Sequence, residues 1–345
     1  MQFFKKVITL IQLIFLITIV AGIPPVFALS FTAGDLFISS SVTDEIQIYD
    51  SETLDFKGSF SHELFKYGNY DYFAYAHGPN GIAFNGDGNL VVSSFTHFIE
   101  FSSPGTEVAR YEKKFKEANE HIIFDALGNM YSTTSTGGSD RLIQYQASDY
   151  NIQKVINLPP GAASLTGITF DDKGRLYVAS QSDNKIHVLQ ASDDFSVFEH
   201  SHSIDAKNAG LEGLAFNQNG ELLALAGDID RYNPDTGELL GSFDVQPDTN
   251  HHPHAITVDD SGEIYVADFE FYGGIWGGKA SELIRFNPDG SSYTMNTETN
   301  IFGPFSMAIA GTDLPGGPSP TPEPNTLILF GIGIFGFMKF KRRFE

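Results

Sequence analysis

The sequence predicts an all-β fold, a six-bladed β-propeller of four-stranded blades. Three observations predict it. A hairpin pattern typified by Gly167–Ser180 recurs along the chain at a period of roughly 42–50 residues, the spacing of a propeller blade. Helix-periodic stretches are scarce, while Gly (34) and Phe (31) are frequent, which favours many short strands with many turns. Finally, the first clear strand lacks an inner partner and the last lacks an outer one, so the two ends complete a shared blade.

The repeating unit follows from its residues. Ile168, Thr169 and Phe170 are β-branched or aromatic, as strands prefer. Asp171-Asp172-Lys173-Gly174 supplies Asx acceptors and a glycine tolerant of positive φ, a tight turn. Leu176–Ala179 is the returning strand. Inner strands of this kind are expected at Pro79–Phe84, Glu120–Phe124, Leu165–Phe170, Leu211–Phe216, Pro253–Val258 and Pro304–Ile309. Second strands follow at Leu90–Ser94, Met130–Thr134, Leu176–Ala179, Leu222–Ala226 and Ile264–Asp268. Third strands include Arg141–Tyr145, Lys185–Leu189 and Leu283–Phe286, and fourth strands are weaker, as at Glu238–Phe243. Pro304–Ile309 has no second strand after it, and Leu36–Ser40 has no first strand before it. Pairing them closes the ring at six blades and removes free sheet edges.

Composition bounds the chemistry. The 345-residue chain has a formal charge of -22 and no cysteine. Nucleic acid is excluded as a partner, because a phosphate backbone needs a basic footprint. Disulfides and thiolate chemistry are excluded with it.

The two ends read as an address. Lys5 and Lys6, the apolar run Val7–Val20 and the small-x-small pattern Val26-Phe27-Ala28 form a secretory signal over 1–28. The propeller is expected over 29–313. A Pro/Gly-rich linker with Pro322-Glu323-Pro324 occupies 314–324, and an apolar run with a basic end, Lys339, Lys341, Arg342 and Arg343, occupies 325–345. Loss of both ends removes six basic residues and Glu345, leaving a domain near roughly -27 by charge counting.

Two resemblances follow from these residues. Ser182-Asp183-Asn184-Lys185-Ile186-His187-Val188, after its hydrophobic second strand, resembles the NHL-repeat signature. NHL-like propellers include binding modules, sugar-lactone hydrolases and streptogramin-lyase-like proteins, so the resemblance implies a scaffold and leaves the activity open. The tail resembles the PEP-CTERM sorting signal of Gram-negative bacteria. That resemblance implies export across the inner membrane, a membrane helix before processing, and an exosortase-type enzyme as partner. It also implies a setting in the envelope, on the surface or in the matrix of exopolysaccharide-producing, biofilm-forming cells.

Candidate site residues lie where the repeats differ. Aligning the six inner strands puts Asn80, Glu120, Thr166, Glu212, His254 and Phe305 around one mouth of the channel. Blade order sets Asn80 across from Glu212, and Glu120 across from His254. Glu212, Glu120, His254 and Asn80 could hold one divalent cation, Ca²⁺ through oxygens or Zn²⁺ with the imidazole. The sugar-lactonase branch of the resembled family holds an axial metal with Glu, Asn and Asp, whereas here no Asp matches and Thr166 and Phe305 dilute the ring. The same ring also reads as the polar lining of a water-filled mouth.

A second candidate is aromatic. The loop entering blade two carries Tyr72, Phe73 and Tyr75, and an insertion from Asp268 to Lys279 in blade six carries Phe271, Tyr272 and the single tryptophan, Trp276. Ring closure makes blades one and six neighbours, and stacking surfaces with polar flanks hold sugars or flat ligands. No Gly-x-Ser-x-Gly nucleophile elbow is present. The functional expectation is an exported, surface-associated, non-catalytic binding module for exopolysaccharide or another envelope component. The alternatives are a metal-dependent lactone hydrolase or lyase with an axial site, and a protein-interaction scaffold.

Overall fold

A computed structural model describes residues 31–66, 78–116, 121–134, 140–245, 251–272, 275–276, 281–299 and 301–311; at 251, 269–272, 275 and 276 it is the backbone that is described. The expected leader and sorting tail lie outside these residues.

The chain winds through six sheets in turn. Blade one holds β1 (Asp35–Ser40), β2 (Glu45–Asp50) and β3 (Phe56–Ser61). Blade two holds β4 (Ile82–Phe84), β5 (Leu90–Ser93), β6 (His97–Ser103) and β7 (Thr106–Glu112). Blade three holds β8 (Ile122–Phe124), β9 (Met130–Thr134), β10 (Arg141–Tyr145) and β11 (Ile152–Ile156). Blade four holds β12 (Leu165–Phe170), β13 (Arg175–Ser180), β14 (Lys185–Ala191) and β15 (Phe198–Asp205). Blade five holds β16 (Gly213–Phe216), β17 (Leu222–Ala226), β18 (Asp228–Tyr232) and β19 (Leu239–Phe243). Blade six holds β20 (His251–Val258), β21 (Ile264–Tyr272), β22 (Ile275–Trp276), β23 (Leu283–Phe286) and β24 (Tyr293–Asn296). The last strand, β25 (Pro304–Ile309), returns to blade one.

Closure takes the expected form. The first sheet runs β25-β1-β2-β3, with Leu36 opposite Ile309 and Phe37 opposite Ala308. Backbone bonds Gly34 N–H to Ala310 O and Ala310 N–H to Asp35 O, both 2.9 Å, seal one end. The Ser39 hydroxyl bridges to Ser306 by accepting from its N–H at 3.0 Å and donating to its carbonyl at 3.2 Å.

The core is a ring of six apolar seams, one between each pair of neighbouring blades. Leu36, Ile38 and Tyr49 of blade one meet Tyr265 and Leu283 of blade six. Tyr177, Ile186 and Val188 of blade four meet Leu214 and Leu222 of blade five. Second strands β5, β9, β13 and β17 are buried at every residue, and β17 is accordingly an unbroken apolar run. The outer strand β7 alternates between exposed and half-buried residues, as a one-sided edge should.

The five inner hairpin turns share one device. Asn85, Asp125, Asp171, Asn217 and Asp259 each accept, through Oδ1, the N–H groups two and four residues on, at 2.8–3.1 Å. The glycine three residues on has φ between 72° and 86° in every turn, where a Cβ would be strained. The choice of Asp or Asn tracks the residue six positions on. Where that residue is Tyr131, Tyr177 or Tyr265, an Asp accepts the phenol with its second oxygen, at 2.7, 3.2 and 2.9 Å. Where it is Val91 or Leu223, Asn replaces Asp, and no buried charge is left facing an apolar side chain. Burial, then the neighbouring carboxylate, raises all three phenol pKa values.

Several strand boundaries differ from expectation. Inner strands of blades two, three and five begin two or three residues later than the sequence suggested. The preceding residues still bond to the sheet, as in Asn80 N–H to Ser93 O and Glu212 N–H to Leu225 O, both 2.9 Å. The blade-six insertion is also partly strand rather than loop. β21 runs on to Tyr272, and β22 pairs back with Phe271 opposite Trp276 and Tyr272 opposite Ile275, consistent with its β-branched and aromatic residues.

Candidate functional site

Inner strands β4, β8, β12, β16, β20 and β25 touch their neighbours around the axis and enclose a channel of about 820 Å³. Its wall runs from His121, near the strand entries, past Ile168, Thr169 and Ile256, to Asp171 and Asn217 in the turns at the other mouth. Close approach of inner strands depends on small residues just after the ring positions. A Cβ on Gly167 would lie 2.7 Å from the Leu214 nitrogen and 2.9 Å from the Glu212 carbonyl oxygen. A Cβ on Gly213 would lie 2.6 Å from Ile256 Cγ2. The equivalent positions hold Gly81, Ala255 and Ser306, and His121 in blade three.

At the entry mouth the structure brings Glu212 and His254 together. Glu212 Oε2 lies 3.8 Å from His254 Nδ1, with both side chains about one-fifth exposed. Gln181, from the turn between β13 and β14, donates Nε2–H to Glu212 Oε1 at 2.8 Å and to the Leu211 carbonyl at 3.0 Å, fixing the carboxylate from the next blade. Thr166 donates to the same Leu211 carbonyl at 2.7 Å and accepts, at its own carbonyl, from the Thr133 hydroxyl at 2.5 Å. His254 packs on Phe305 with ring centroids 5.5 Å apart and planes at 68°. Asn80 is fully buried across the axis. Thus Asn80, Thr166, Glu212, His254 and Phe305 occupy the ring, and Glu120 lies outside the described residues.

The imidazoles at this mouth are held neutral. Burial, reinforced by His252, pushes His254 down to about 4. Burial, reinforced by His254 from the opposite blade, pushes His121 down to about 3. Each ring therefore offers one donor and one acceptor at physiological pH. Among the described residues no three His, Asp or Glu side chains stand close enough to share a metal ion. The side chains of Phe271, Tyr272 and Trp276, and the whole of Tyr72, Phe73 and Tyr75, lie outside the described residues.

Sequence reasoning missed His121 and Gln181. His121 was signalled as the one bulky residue at a position otherwise held by Gly, Ala or Ser. Gln181 carries no such signal, because its reach to Glu212 depends on how blades four and five pack.

A second polar cluster sits away from the channel. His187 lies opposite Ser203 on the paired strands β14 and β15. Its Nε2 is 3.1 Å from Asp183 Oδ2 and its Nδ1 is 3.0 Å from Ser203 Oγ, which also lies 3.0 Å from His200 Nε2. Burial of His187, only partly offset by Asp183, lowers its pKa. These contacts tie the outer half of blade four together.

A six-bladed propeller with a polar channel mouth defines the class. Its neighbours among solved structures agree and are of the NHL-like propeller type. A protein of unknown function from Bacteroides caccae is 11% identical over 81% of this chain and 100% of its own, with a TM-score of 0.58. A virginiamycin B lyase from Staphylococcus aureus is 17% identical over 68% and 76%, with a TM-score of 0.50. A putative gluconolactonase is 17% identical over 68% and 81%, with a TM-score of 0.54. At these identities the likeness is one of fold. No sequence among curated proteins matches the chain. The more particular identification comes from the tail: residues 320–343 match the PEP-CTERM protein-sorting motif. The protein is therefore an exported β-propeller with a membrane-anchored sorting signal of a Gram-negative cell, of the kind processed by exosortase-type enzymes.

Proposed function

We propose that this protein is a surface-associated binding module whose channel mouth takes a hydroxyl-rich ligand, an exopolysaccharide or another envelope component. In this reading the leader over 1–28 is removed, the domain over 29–313 is displayed at the cell surface or in the extracellular matrix, and 314–345 serves sorting. One observation carries the proposal. Glu212, fixed by Gln181, stands beside a neutral imidazole packed on Phe305, at the entries of the inner strands that wall the channel. A fixed carboxylate, a neutral donor–acceptor and an aromatic ring are a set that recognises sugars. The aromatic residues Tyr72, Phe73, Tyr75, Phe271, Tyr272 and Trp276 are proposed to extend this surface.

The hydrolase or lyase reading asks Glu120, Glu212, His254 and Asn80 to share a divalent cation. The described geometry pairs Glu212 with His254, and Glu120 lies outside the described residues; the binding reading is preferred for the carboxylate, imidazole and aromatic ring gathered there. The test is polysaccharide pull-down and glycan-array binding with the purified protein. Binding that weakens in Trp276→Ala and Tyr72→Ala supports the aromatic extension, and binding that weakens in Glu212→Gln supports the mouth. Binding indifferent to all three would sink the proposal.

A further inference from the structure

We infer that blade four carries a serine-hydrolase centre: Ser203 is a nucleophile towards neutral carboxylic esters, with His187 as its general base and Asp183 as the group that positions the base. The inference goes beyond the binding function and rests on none of the residues at the channel mouth.

The hydrogen-bond directions are fixed by elimination. The Asp183 carboxylate can only accept, so His187 Nε2, 3.1 Å from Asp183 Oδ2, carries the ring proton. Burial, only partly offset by Asp183, holds the imidazole pKa below its ordinary value, so the ring is neutral at physiological pH and Nδ1 is unprotonated. Nδ1 faces Ser203 Oγ at 3.0 Å, so the hydroxyl donates to it. His200 Nε2 lies 3.0 Å from the same oxygen. Since the Ser203 proton already lies on the bond to His187, His200 is the donor in that contact. The carboxylate is itself fixed, as Asp183 Oδ1 accepts from the Ser180 hydroxyl at 2.6 Å. Carboxylate, imidazole and hydroxyl thus form one directed chain. This arrangement activates a serine on unrelated folds and is recognised by geometry rather than by a sequence motif.

Burial is graded in the sense the chemistry needs. The His187 side chain is 1% exposed and that of Asp183 19%, so the base is shielded from water. Ser203 is half-buried on β15, the outermost strand of the blade, where Glu199, His200 and Ser201 are exposed. A substrate therefore approaches over a shallow outer surface, which suits an ester on an extended molecule. A chain of formal charge -22 repels anionic esters, so the substrate is neutral. In the first step Ser203 Oγ bonds to the ester carbonyl carbon while its proton passes to His187 Nδ1, and Asp183 stabilises the imidazolium. His200 Nε2–H is the donor at hand for the charge developing on the carbonyl oxygen. The bond to the alcohol oxygen then breaks, and the alcohol leaves with the proton from Nδ1. Water repeats the sequence on the acyl-serine and releases the acid.

The test uses the full-length protein, a fluorophosphonate probe and p-nitrophenyl acetate. Attack on the probe forms a bond from Ser203 Oγ to phosphorus and expels fluoride, the proton going to His187. The expected result is an adduct located on Ser203 by mass spectrometry, and p-nitrophenol release that Ser203→Ala returns to the background of surface imidazoles. His187→Gln should slow both reactions by about a hundredfold or more, as loss of a general base does. The charged and titratable groups facing His187 are Asp183, His200 and Lys185, and only Asp183 raises its pKa. Asp183→Asn should therefore slow both reactions and move the acid limb of the pH–rate profile to lower pH. A carboxylate that merely ties the strands together would leave that profile unmoved. An unlabelled Ser203 in the folded wild-type protein would overturn the inference without touching the glycan-binding reading. Labelling at the wild-type rate in a folded His187→Gln protein would overturn it too. If that variant does not fold, the wild-type adduct and the Asp183→Asn profile decide.

Discussion

Replacing Gly167 with Ala tests the link between the repeat and the site. The added Cβ would meet three backbone atoms of the next inner strand: the Leu214 nitrogen at 2.7 Å, the Gly213 carbonyl carbon at 2.8 Å and the Glu212 carbonyl oxygen at 2.9 Å. Ordinary contact begins near 3.4 Å, so the two strands must part by about half an ångström, and no side chain can rotate out of the way. Overpacking of this kind costs about 1–3 kcal/mol. Gly167 does not have a positive φ, so Ala is conformationally acceptable there and by itself would stabilise by about 0.4–1 kcal/mol through the unfolded chain. The net expectation is a loss of about 1–2 kcal/mol, or a few degrees in Tm for a domain of this size. Because the strand displaced carries Glu212, glycan affinity should fall as well. Gly220→Ala is the control. Its φ is 72° with open space around the Cβ, so it should cost about 1–2 kcal/mol from backbone strain and leave binding unchanged. Thermal and urea denaturation with parallel binding assays read both. A Gly167→Ala protein as stable as the wild type, with full affinity, would refute the close-packed inner ring.

Two further outcomes follow from the same physics. Tyr131→Phe removes the donor to Asp125, which is 1% exposed, and the acceptor for Gln144 at 2.7 Å; it should cost about 1–3 kcal/mol. A double-mutant cycle with Asp125→Asn should then show coupling of about 1 kcal/mol or more, against near-additivity if the pair is incidental. Acid stability should report the two histidines of the channel mouth. With folded pKa values of about 4 for His254 and about 3 for His121, the unfolded chain takes up protons first as pH falls below about 6.5, so stability is full above that and declines towards the folded values. Each histidine contributes up to about 2 kcal/mol between pH 6.5 and 5. Urea midpoints should fall over that window and fall less in His254→Gln; a flat profile would contradict the neutral assignment.

Much of the fold was legible because strand pattern and turn chemistry are local. The Asx-Gly turns and alternating apolar residues mark each hairpin, and the unpaired strands at Leu36 and Pro304 announce closure before any long-range contact is known. Aligning the inner strands alone put Glu212 and His254 on one ring. What the sequence did not disclose depends on packing between blades. Gln181 reaches Glu212 from another sheet, and His121 lines the channel from a position that at Gly167 and Gly213 is too crowded for a Cβ. The Asp–Tyr pairing of the turns was hidden differently. Both residues were visible, but their link needs the hairpin register that brings a side chain six positions on back to the turn.

The central claim is that the channel mouth at Glu212 and His254 is the ligand site. The most direct measurement is a crystal structure of the protein soaked with an oligosaccharide selected from the glycan array. The account predicts sugar density at the entry mouth, with a hydroxyl within hydrogen-bonding distance of the Glu212 carboxylate and a pyranose ring near Phe305. An oligomer bound elsewhere, with the mouth holding only solvent, would contradict it.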